Sequence, residues 1–285
     1  MWWSTVTGKL EETKQLDPVT DKVGQLVGKV LPSGPVKDAL HGRWLGHQLH
    51  PVLVALPIGM FSGATLLDLT AGRDGRRAAQ RLIGAGLLLF GPTAASGWAD
   101  WSELGEAQRP KRVGLVHAGA NNAASLVYLT SWLARRRGDH ARGRTLALIG
   151  AMGLGVGGYL GGHLAYSQGV GVNRNADEEK EPREWTDAVA RADVPDGGLL
   201  RVEVAGQQVV LADVSGQLRA IGATCSHYGG PLDEGSIEGD CVVCPWHQSR
   251  FRLADGSVAR SPATAPQLSY DVRIVGDRVQ LKVRV

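Results

Sequence analysis

The sequence predicts a membrane α-helical bundle of four transmembrane helices followed by an all-β domain. Apolar residues are concentrated before residue 172, short alternating segments fill the last hundred residues, and a charged run separates the two parts. The chain has 285 residues, 43% of them hydrophobic, so it can hold two domains. We therefore expect an amphipathic amino-terminal segment (1–45), a transmembrane domain (46–172), a linker (173–184) and a β domain (185–285).

Four uncharged stretches predict the transmembrane helices: 51–67, 82–99, 113–134 and 145–171. About 20 apolar residues cross the ~30 Å hydrocarbon layer of a bilayer. The helices of a soluble bundle are the alternative, but such helices show a polar face every third or fourth residue. These stretches show almost none, which favours insertion into a membrane.

The basic residues predict the orientation of the helices. Arginines crowd the loop between the first and second stretches and the loop between the third and fourth, which predicts that both loops are cytoplasmic. Both termini and the β domain then lie on the outer face. The net charge of +3 is small, and the arginines lie at span ends, so we expect no nucleic-acid partner.

The amino-terminal segment predicts an amphipathic helix over residues 17–31. Apolar residues recur there at helical spacing, with charged residues between them, as in helices that lie on a membrane surface. Polar residues follow the first three, so we expect no cleavable signal peptide. After the linker, alternating segments at 199–204, 208–214, 218–221, 269–275 and 279–285 predict strands.

Two short motifs in the β domain predict a metal site. Cys225 and His227 stand in CSHYGGPL, and Cys244 and His247 stand in CPWHQSRF. Each motif offers one thiolate and one imidazole, with glycine and proline nearby to form tight turns. Two cysteines and two histidines also suit a tetrahedral zinc ion, so a zinc-stabilised binding module stays open.

Residues 184–285 resemble the Rieske family through Cys-x-His, Cys-x-x-His and the residues around them. The resemblance implies a [2Fe-2S] cluster, with the two cysteines on one iron and the two histidines on the other. It also implies that Ser249 donates a hydrogen bond to a bridging sulfide. Gly230 and Trp246 replace the cysteines of the respiratory disulfide, and Phe251 replaces a donor tyrosine. The domain is therefore similar to the ferredoxin and oxygenase branch.

The membrane half is similar to an uncharacterised bacterial family of four-helix membrane proteins. The match covers residues 38–172 and rests on HGRWLGHQLHPVLVALPIG, RVGLVHAG and GGYLGGHLAYSQGVGV. Ionisable residues within membrane spans are costly and often functional. Here they include His50, His117 and His163. A pair of them is a candidate site for haem b, all three for a quinone head group, and simple hydrogen bonds across the bundle are the plainest interpretation.

These features together predict a membrane-anchored Rieske-type electron-transfer protein in the bacterial cell membrane. Its expected partners are the lipid bilayer and either a redox protein or the quinone pool. It resembles an electron carrier or an oxidoreductase subunit more than a self-contained enzyme. The alternative is a quinol-oxidising or oxygen-handling oxidoreductase whose site is lined by the membrane histidines.

Overall fold

The computed structural model describes the backbone of residues 2–284 and the side chains from Thr5 to Arg284. The chain divides into two compact units. The first joins the chain up to Ser33 to Leu49–Val170, and the second joins Gly34–Gln48 to the chain from Gly171 onward. Each unit is described by itself.

Seven α-helices are found in the described residues, six of them in the first unit. They are α1 (Trp2–Glu12), α2 (Asp17–Val30), α3 (Pro35–His41), α4 (His50–Thr70), α5 (Arg76–Ser102), α6 (Gln108–Arg136) and α7 (His140–Gly162). Helix α7 continues as a π-helical turn, His163–Ser167, and α3 belongs to the second unit.

Three helices of the described chain are long and apolar enough to cross a membrane: His50–Thr70, Arg76–Ser102 and His140–Ser167. The predicted count of four spans is therefore not reproduced. Helix α6 is 29 residues long, but His117, Asn121 and Asn122 lie in its central part and lower its mean hydropathy. The fold class of apolar helices followed by a β domain is confirmed.

The three apolar helices turn large apolar side chains outward. Only 17% to 28% of their most apolar windows is buried within the protein. Leu88 is 80% exposed and Met152 is 67% exposed. Exposure of apolar surface to water costs about 25 cal/mol per Å² of free energy. The large exposed apolar surface of these helices therefore supports a membrane location.

A buried ion pair links three helices of the first unit. The Arg135 guanidinium on α6 donates to both carboxylate oxygens of Asp68 on α4, with Nη1 at 2.8 Å from Oδ1. Both side chains are almost fully buried. Arg135 also donates to the Ser131 hydroxyl, which donates to the Gly143 carbonyl on α7. The arginine is thus a packing element as well as a charge at the end of a helix.

Helix α2 is attached to α6 by its polar residues. The Asp17 carboxylate accepts two hydrogen bonds from Arg112, and Thr20 is fully buried. On other faces of α2, Val19, Leu26 and Val30 are exposed. The amphipathic helix expected from the sequence is present, and its apolar side chains are available to a membrane surface.

The second unit is a β domain with two antiparallel sheets, as predicted. Its strands are β1 (Thr186–Ala190), β2 (Leu199–Val204), β3 (Gln207–Val214), β4 (Gln217–Gly222), β5 (Ser236–Glu238), β6 (Cys241–Val243), β7 (Arg250–Arg252), β8 (Val258–Arg260), β9 (Ser269–Val275) and β10 (Arg278–Val283). The six-stranded sheet has the order β1-β10-β9-β4-β3-β2, and the four-stranded sheet runs from β5 to β8 in sequence.

Candidate metal centre

Two loops of the β domain have the same backbone hydrogen bonds. In the first loop, residues 225–230, the Cys225 amide donates to the Gly230 carbonyl and the Gly229 amide donates to the Cys225 carbonyl, both at 2.8 Å. In the second loop, residues 244–249, the corresponding bonds join Cys244 to Ser249 and Gln248 to Cys244. The second loop joins β6 to β7. The backbone bonds of the two loops therefore match, with the histidine two residues after the cysteine in the first loop and three residues after it in the second.

The two loop cysteines lie side by side. The Cys225 thiol donates to the Cys244 sulfur, so the pKa of Cys225 is raised, with burial as the next cause. The same bond is the main cause that lowers the pKa of Cys244 to about 6; burial acts against it, and the backbone amides of Trp246 and His247 contribute to the lowering. Donors already point at the sulfurs, which favours thiolates as ligands. Neither cysteine forms a disulfide.

The two loop histidines face each other beside the sulfurs. The ring centroids of His227 and His247 are 5.0 Å apart and the rings are nearly perpendicular. The Nδ1 atom of His227 is buried and has no hydrogen-bond partner among the described residues. Burial, followed by the charges of His247 and His41, lowers the pKa of His227 to about 3. His227 is therefore neutral at pH 7, the form in which imidazole binds a metal.

Ser249 at the end of the second loop and Phe251 just beyond it were singled out from the sequence. Ser249 is fully buried, and its Oγ accepts the Ala263 amide at 2.9 Å. Its own hydroxyl proton can therefore be donated to another acceptor. Phe251 is also fully buried, and with no hydroxyl group it packs in the core that contains both loop cysteines.

Gly230 leaves little room beside Cys244. A Cβ atom on Gly230 would lie 2.9 Å from the Cys244 sulfur and 3.2 Å from the Trp246 ring. The two positions that hold the respiratory disulfide in the resemblance are thus neighbours here. In this chain Gly230 packs against the Trp246 indole, which occupies the space that a disulfide would take.

A third segment, residues 261–265, touches both loops, and we call it the closing loop. The Ser226 hydroxyl of the first loop donates to the Ala265 carbonyl at 2.7 Å. From the other side, the Ala263 amide donates to Ser249, the last residue of the second loop. The closing loop therefore holds the two cysteine loops in a common arrangement.

The matched loops predict the effect of a change at Gln248. Gly229 has φ of +78° and Gln248, at the same place in the second loop, has φ of +62°. A side chain in this left-handed region costs about 1–2 kcal/mol, and glycine does not carry that cost. We expect Gln248→Gly to raise the free energy of unfolding of the β domain by roughly 0.5–1 kcal/mol, measured by chemical denaturation of the full chain.

Gln208→Gly is the matched control, because Gln208 lies in strand β3 without a positive φ. That change should lower the free energy of unfolding by roughly 0.5–1 kcal/mol, since glycine weakens a strand. Equal effects of the two variants would contradict the strain assigned to Gln248.

The charged linker lies along the β domain. The Arg174 amide donates to the Ser226 carbonyl at 3.0 Å, and the Asn175 side chain donates to the Thr224 carbonyl at 2.8 Å. The half-buried Glu178 lies near Gly222, where a Cβ atom would be 3.3 Å from Glu178 Oε2. Burial raises the pKa of Glu178 to about 7. The linker is therefore joined to the backbone on both sides of Cys225.

Glu178 predicts a pH dependence of the β domain. Its pKa is 4.5 in the absence of burial and about 7 in the fold. Between these values the folded state holds a proton that the unfolded state has lost, so the free energy of unfolding falls as the pH rises. We expect a loss on the order of 1 kcal/mol between pH 4.5 and 7.5, after allowing for partial exposure. Denaturation at both pH values measures it, and Glu178→Gln should remove this part of the slope.

The structure brings two of the three membrane histidines together. His50 on α4 and His117 on α6 have ring centroids 6.3 Å apart. The Nδ1 atom of His50 is 2.9 Å from the Thr93 carbonyl, and that of His117 is 2.8 Å from the Gly157 carbonyl. A carbonyl only accepts, so each Nδ1 carries the proton and each Nε2 keeps its lone pair.

The third membrane histidine has a different environment. His163 forms an ion pair with Glu11 of α1, with Nε2 2.7 Å from the carboxylate. Sequence reasoning missed Glu11, because 152 positions separate it from His163. Among the described residues, no three or more His, Cys, Asp or Glu side chains are grouped as ligands of one metal ion.

Comparisons with known proteins agree with this geometry. The Rieske [2Fe-2S] domain matches residues 184–275, and the predicted membrane protein domain DUF2231 matches residues 46–174. The ferredoxin component of the naphthalene 1,2-dioxygenase system of Pseudomonas aeruginosa is 36% identical over 97 residues, which are 34% of this chain and 93% of the relative. The ferredoxin component of the 2,4-dinitrotoluene dioxygenase system of Burkholderia sp. is 36% identical over 99 residues, 35% of this chain and 95% of that protein.

Among solved structures, the ferredoxin of carbazole 1,9a-dioxygenase from Nocardioides aromaticivorans IC177 is similar. The two are 24% identical, with a TM-score of 0.34, over 35% of this chain and 98% of that one.

The Rieske match supports a [2Fe-2S] cluster and an electron-transfer role, and the membrane match supports membrane anchoring. The matches give no support for a haem. The chain belongs to the Rieske [2Fe-2S] family through its carboxy-terminal domain, joined here to a predicted membrane domain of the DUF2231 family.

Proposed function

We propose that the protein is a membrane-anchored Rieske electron carrier in which Cys225, His227, Cys244 and His247 hold the [2Fe-2S] cluster. The observation that carries the proposal is the buried, unpartnered Nδ1 of His227 beside two adjacent sulfurs in matched loops. An unpaired buried nitrogen costs roughly 1–3 kcal/mol, and a metal bond would satisfy it. The donors suit the cluster: sulfur on one side and neutral imidazole on the other.

The protein's own residues define what the centre does. When bound, the cluster supplies one-electron oxidation and reduction. Backbone amides of both loops point at the cysteine sulfurs and stabilise their negative charge. The Ser249 hydroxyl is placed to donate a further bond, and such bonds raise the potential. Phe251 offers no such bond, so we expect a lower potential than in a domain with tyrosine at this position.

The partner follows from the relatives and from the membrane domain. The relatives are named as ferredoxin components of dioxygenase systems, so we infer that this domain exchanges electrons with a redox protein or, in the membrane, with quinol. The arginine-rich loops before α5 and before α7 favour the cytoplasmic side for those loops. With α6 as a fourth span, which puts both loops on one side, we assign the β domain to the outer face of the bacterial cell membrane.

Purified full-length protein tests the cluster. Iron and acid-labile sulfide should be present in equal amounts, and the reduced protein should give the rhombic electron spin resonance signal of a Rieske centre. A zinc-stabilised binding module would give zinc, no labile sulfide and no signal. That result would overturn the proposal.

The alternative function includes a second redox site at His50 and His117, and one observation favours it. Both rings hold their Nδ1 protons on backbone carbonyls, so each Nε2 is an acceptor; that of His117 lies 3.4 Å from the Asn121 amide nitrogen. This tautomer is typical of histidines that bind a metal, so His50 and His117 would be the residues that hold a haem b. The protein would then be a quinol-oxidising membrane oxidoreductase with the Rieske domain as one of its two centres.

Visible spectra of the purified protein decide this alternative. A haem gives a Soret band that His117→Ala should remove. His163→Ala is the control and should keep the band, because His163 is paired with Glu11. Protein without a Soret band would eliminate the haem and leave His50 and His117 as packing residues or a quinol site.

A further inference from the structure

Residues 34–48 precede the first apolar helix in the sequence, yet they belong to the compact unit that contains the cysteine loops. We call residues 34–48 the leading segment. Its helix α3 places Asp38 so that the carboxylate accepts the Ser261 amide at 3.1 Å. Beyond α3, the Arg43 guanidinium donates to the Ala259 carbonyl at 3.1 Å and to the Val258 carbonyl at 3.3 Å.

These anchor points adjoin the closing loop. Ser261 is its first residue, and Val258 and Ala259 are in β8, the strand just before it. The closing loop in turn bonds to both cysteine loops, through Ser226 and Ser249. A continuous chain of hydrogen bonds therefore leads from Asp38 to the residues that flank the proposed cluster ligands.

The leading segment also lines a cavity beside His227. Gly46, His47 and Gln48 line a cavity of about 100 Å³ together with His227, Ser226 and Pro262. The Gln48 side chain packs on Gly171, where a Cβ atom would lie 2.3 Å from its oxygen. A cavity of this size has room for several water molecules.

The two loop histidines differ in exposure as a result. His227 is 8% exposed, and His41 at the end of α3 is only 1% exposed. His247 is partly exposed, and its neighbour Trp246 is 54% exposed. His227 is the second residue after Cys225 and His247 is the third after Cys244, and the leading segment lines a cavity on the His227 side.

We propose that the leading segment is a resident cover on the His227 side of the centre, which braces the closing loop and leaves His247 as the histidine through which a redox protein exchanges electrons. This rests on the proposed function. One electron leaves the reduced partner, which is oxidised, and is taken up by the cluster; no bond forms or breaks. While the cover is in place, a partner can approach only from the His247 side.

Hydrogen exchange on the full chain in detergent tests the cover first. In the wild-type protein the peptides spanning 34–48 and 258–265 should both exchange slowly. In the Asp38→Ala, Arg43→Ala double variant both should exchange faster, since the acceptor of the Ser261 amide is gone. Fast exchange of residues 34–48 in the wild-type protein would by itself refute the cover, whether or not the double variant folds.

Reduction kinetics test the route of the electron. Photoreduced free flavin is the probe, and the appearance of the reduced cluster is followed by absorbance. Releasing the cover should raise the second-order rate constant about twofold, because a second histidine edge doubles the productive orientations. Asp271→Ala, Arg284→Ala is the control: this exposed pair also includes an arginine bound to a backbone carbonyl, that of Ala254, and its loss should leave the rate unchanged.

These experiments distinguish a failure of the proposed function from a failure of the proposed cover. If the wild-type protein lacks the spin resonance signal, the proposed function fails. If the signal is present and the double variant releases residues 34–48 without any change in rate, the function stands and the cover has no part in the route.

Discussion

Replacing Cys244 with alanine should abolish the Rieske spin resonance signal and the acid-labile sulfide, while Cys241→Ala should retain both. Cys244 lies in the matched loop with its sulfur against Cys225 and beside the backbone amides of Trp246 and His247. Removing that sulfur leaves one iron with an incomplete ligand set. Since the cluster needs all four ligands, the expected loss is complete. Iron, sulfide and spin resonance measured on the same preparation check it.

Cys241 is a close control because it is only three residues away and is also buried. Its thiol points to Asp240, 3.3 Å away, and burial raises its pKa to about 11. A protonated thiol is a poor ligand. Loss of the cluster in Cys241→Ala with retention in Cys244→Ala would reverse the assignment of ligands.

The largest loss of stability is expected from Asp68→Ala in the membrane unit. The change leaves the Arg135 guanidinium, 1% exposed, without its counter-charge. Breaking one partner of a buried pair costs about 3–5 kcal/mol. We expect the melting temperature of the detergent-solubilised protein to fall by roughly 10 °C, as followed by circular dichroism at helical wavelengths.

Asp139→Ala is the matched control, since Asp139 caps α7 by accepting the Arg142 amide at 3.0 Å. Loss of such a cap costs about 1 kcal/mol. The double variant Asp68→Ala, Arg135→Met should recover most of the loss, because no charge then remains buried. If Asp68→Ala is no worse than Asp139→Ala, the pair does not support the bundle.

Sequence patterns identify the parts of this protein that depend on local residue types. The ligand candidates are close together in sequence, so two short motifs suffice to select them. The structure places the two histidine rings next to each other and the two cysteines next to each other. The strands β2, β3, β4, β9 and β10 overlap the predicted segments because alternation is a local signal.

The sequence does not identify what depends on distant pairs. Arg135 belongs to an arginine run that predicts topology, and only the fold shows that it is buried against Asp68. Asp38 and Arg43 are ordinary surface charges in the sequence, and their partners lie more than 200 positions away. Helix α6 illustrates the limit of a charge-based criterion: its core lacks charges, but three polar residues lower its mean hydropathy.

The long separation between Arg43 and its acceptor has a consequence for biosynthesis. Val258 follows Arg43 by 215 positions, so a ribosome adding 5–20 residues per second adds the acceptor roughly 10–40 s after the arginine. Residues 34–48 are therefore synthesised well before the β domain, and the bonds of Asp38 and Arg43 to residues 258–261 can form only when the β domain is nearly complete. The second unit thus cannot finish folding until the chain is almost fully translated.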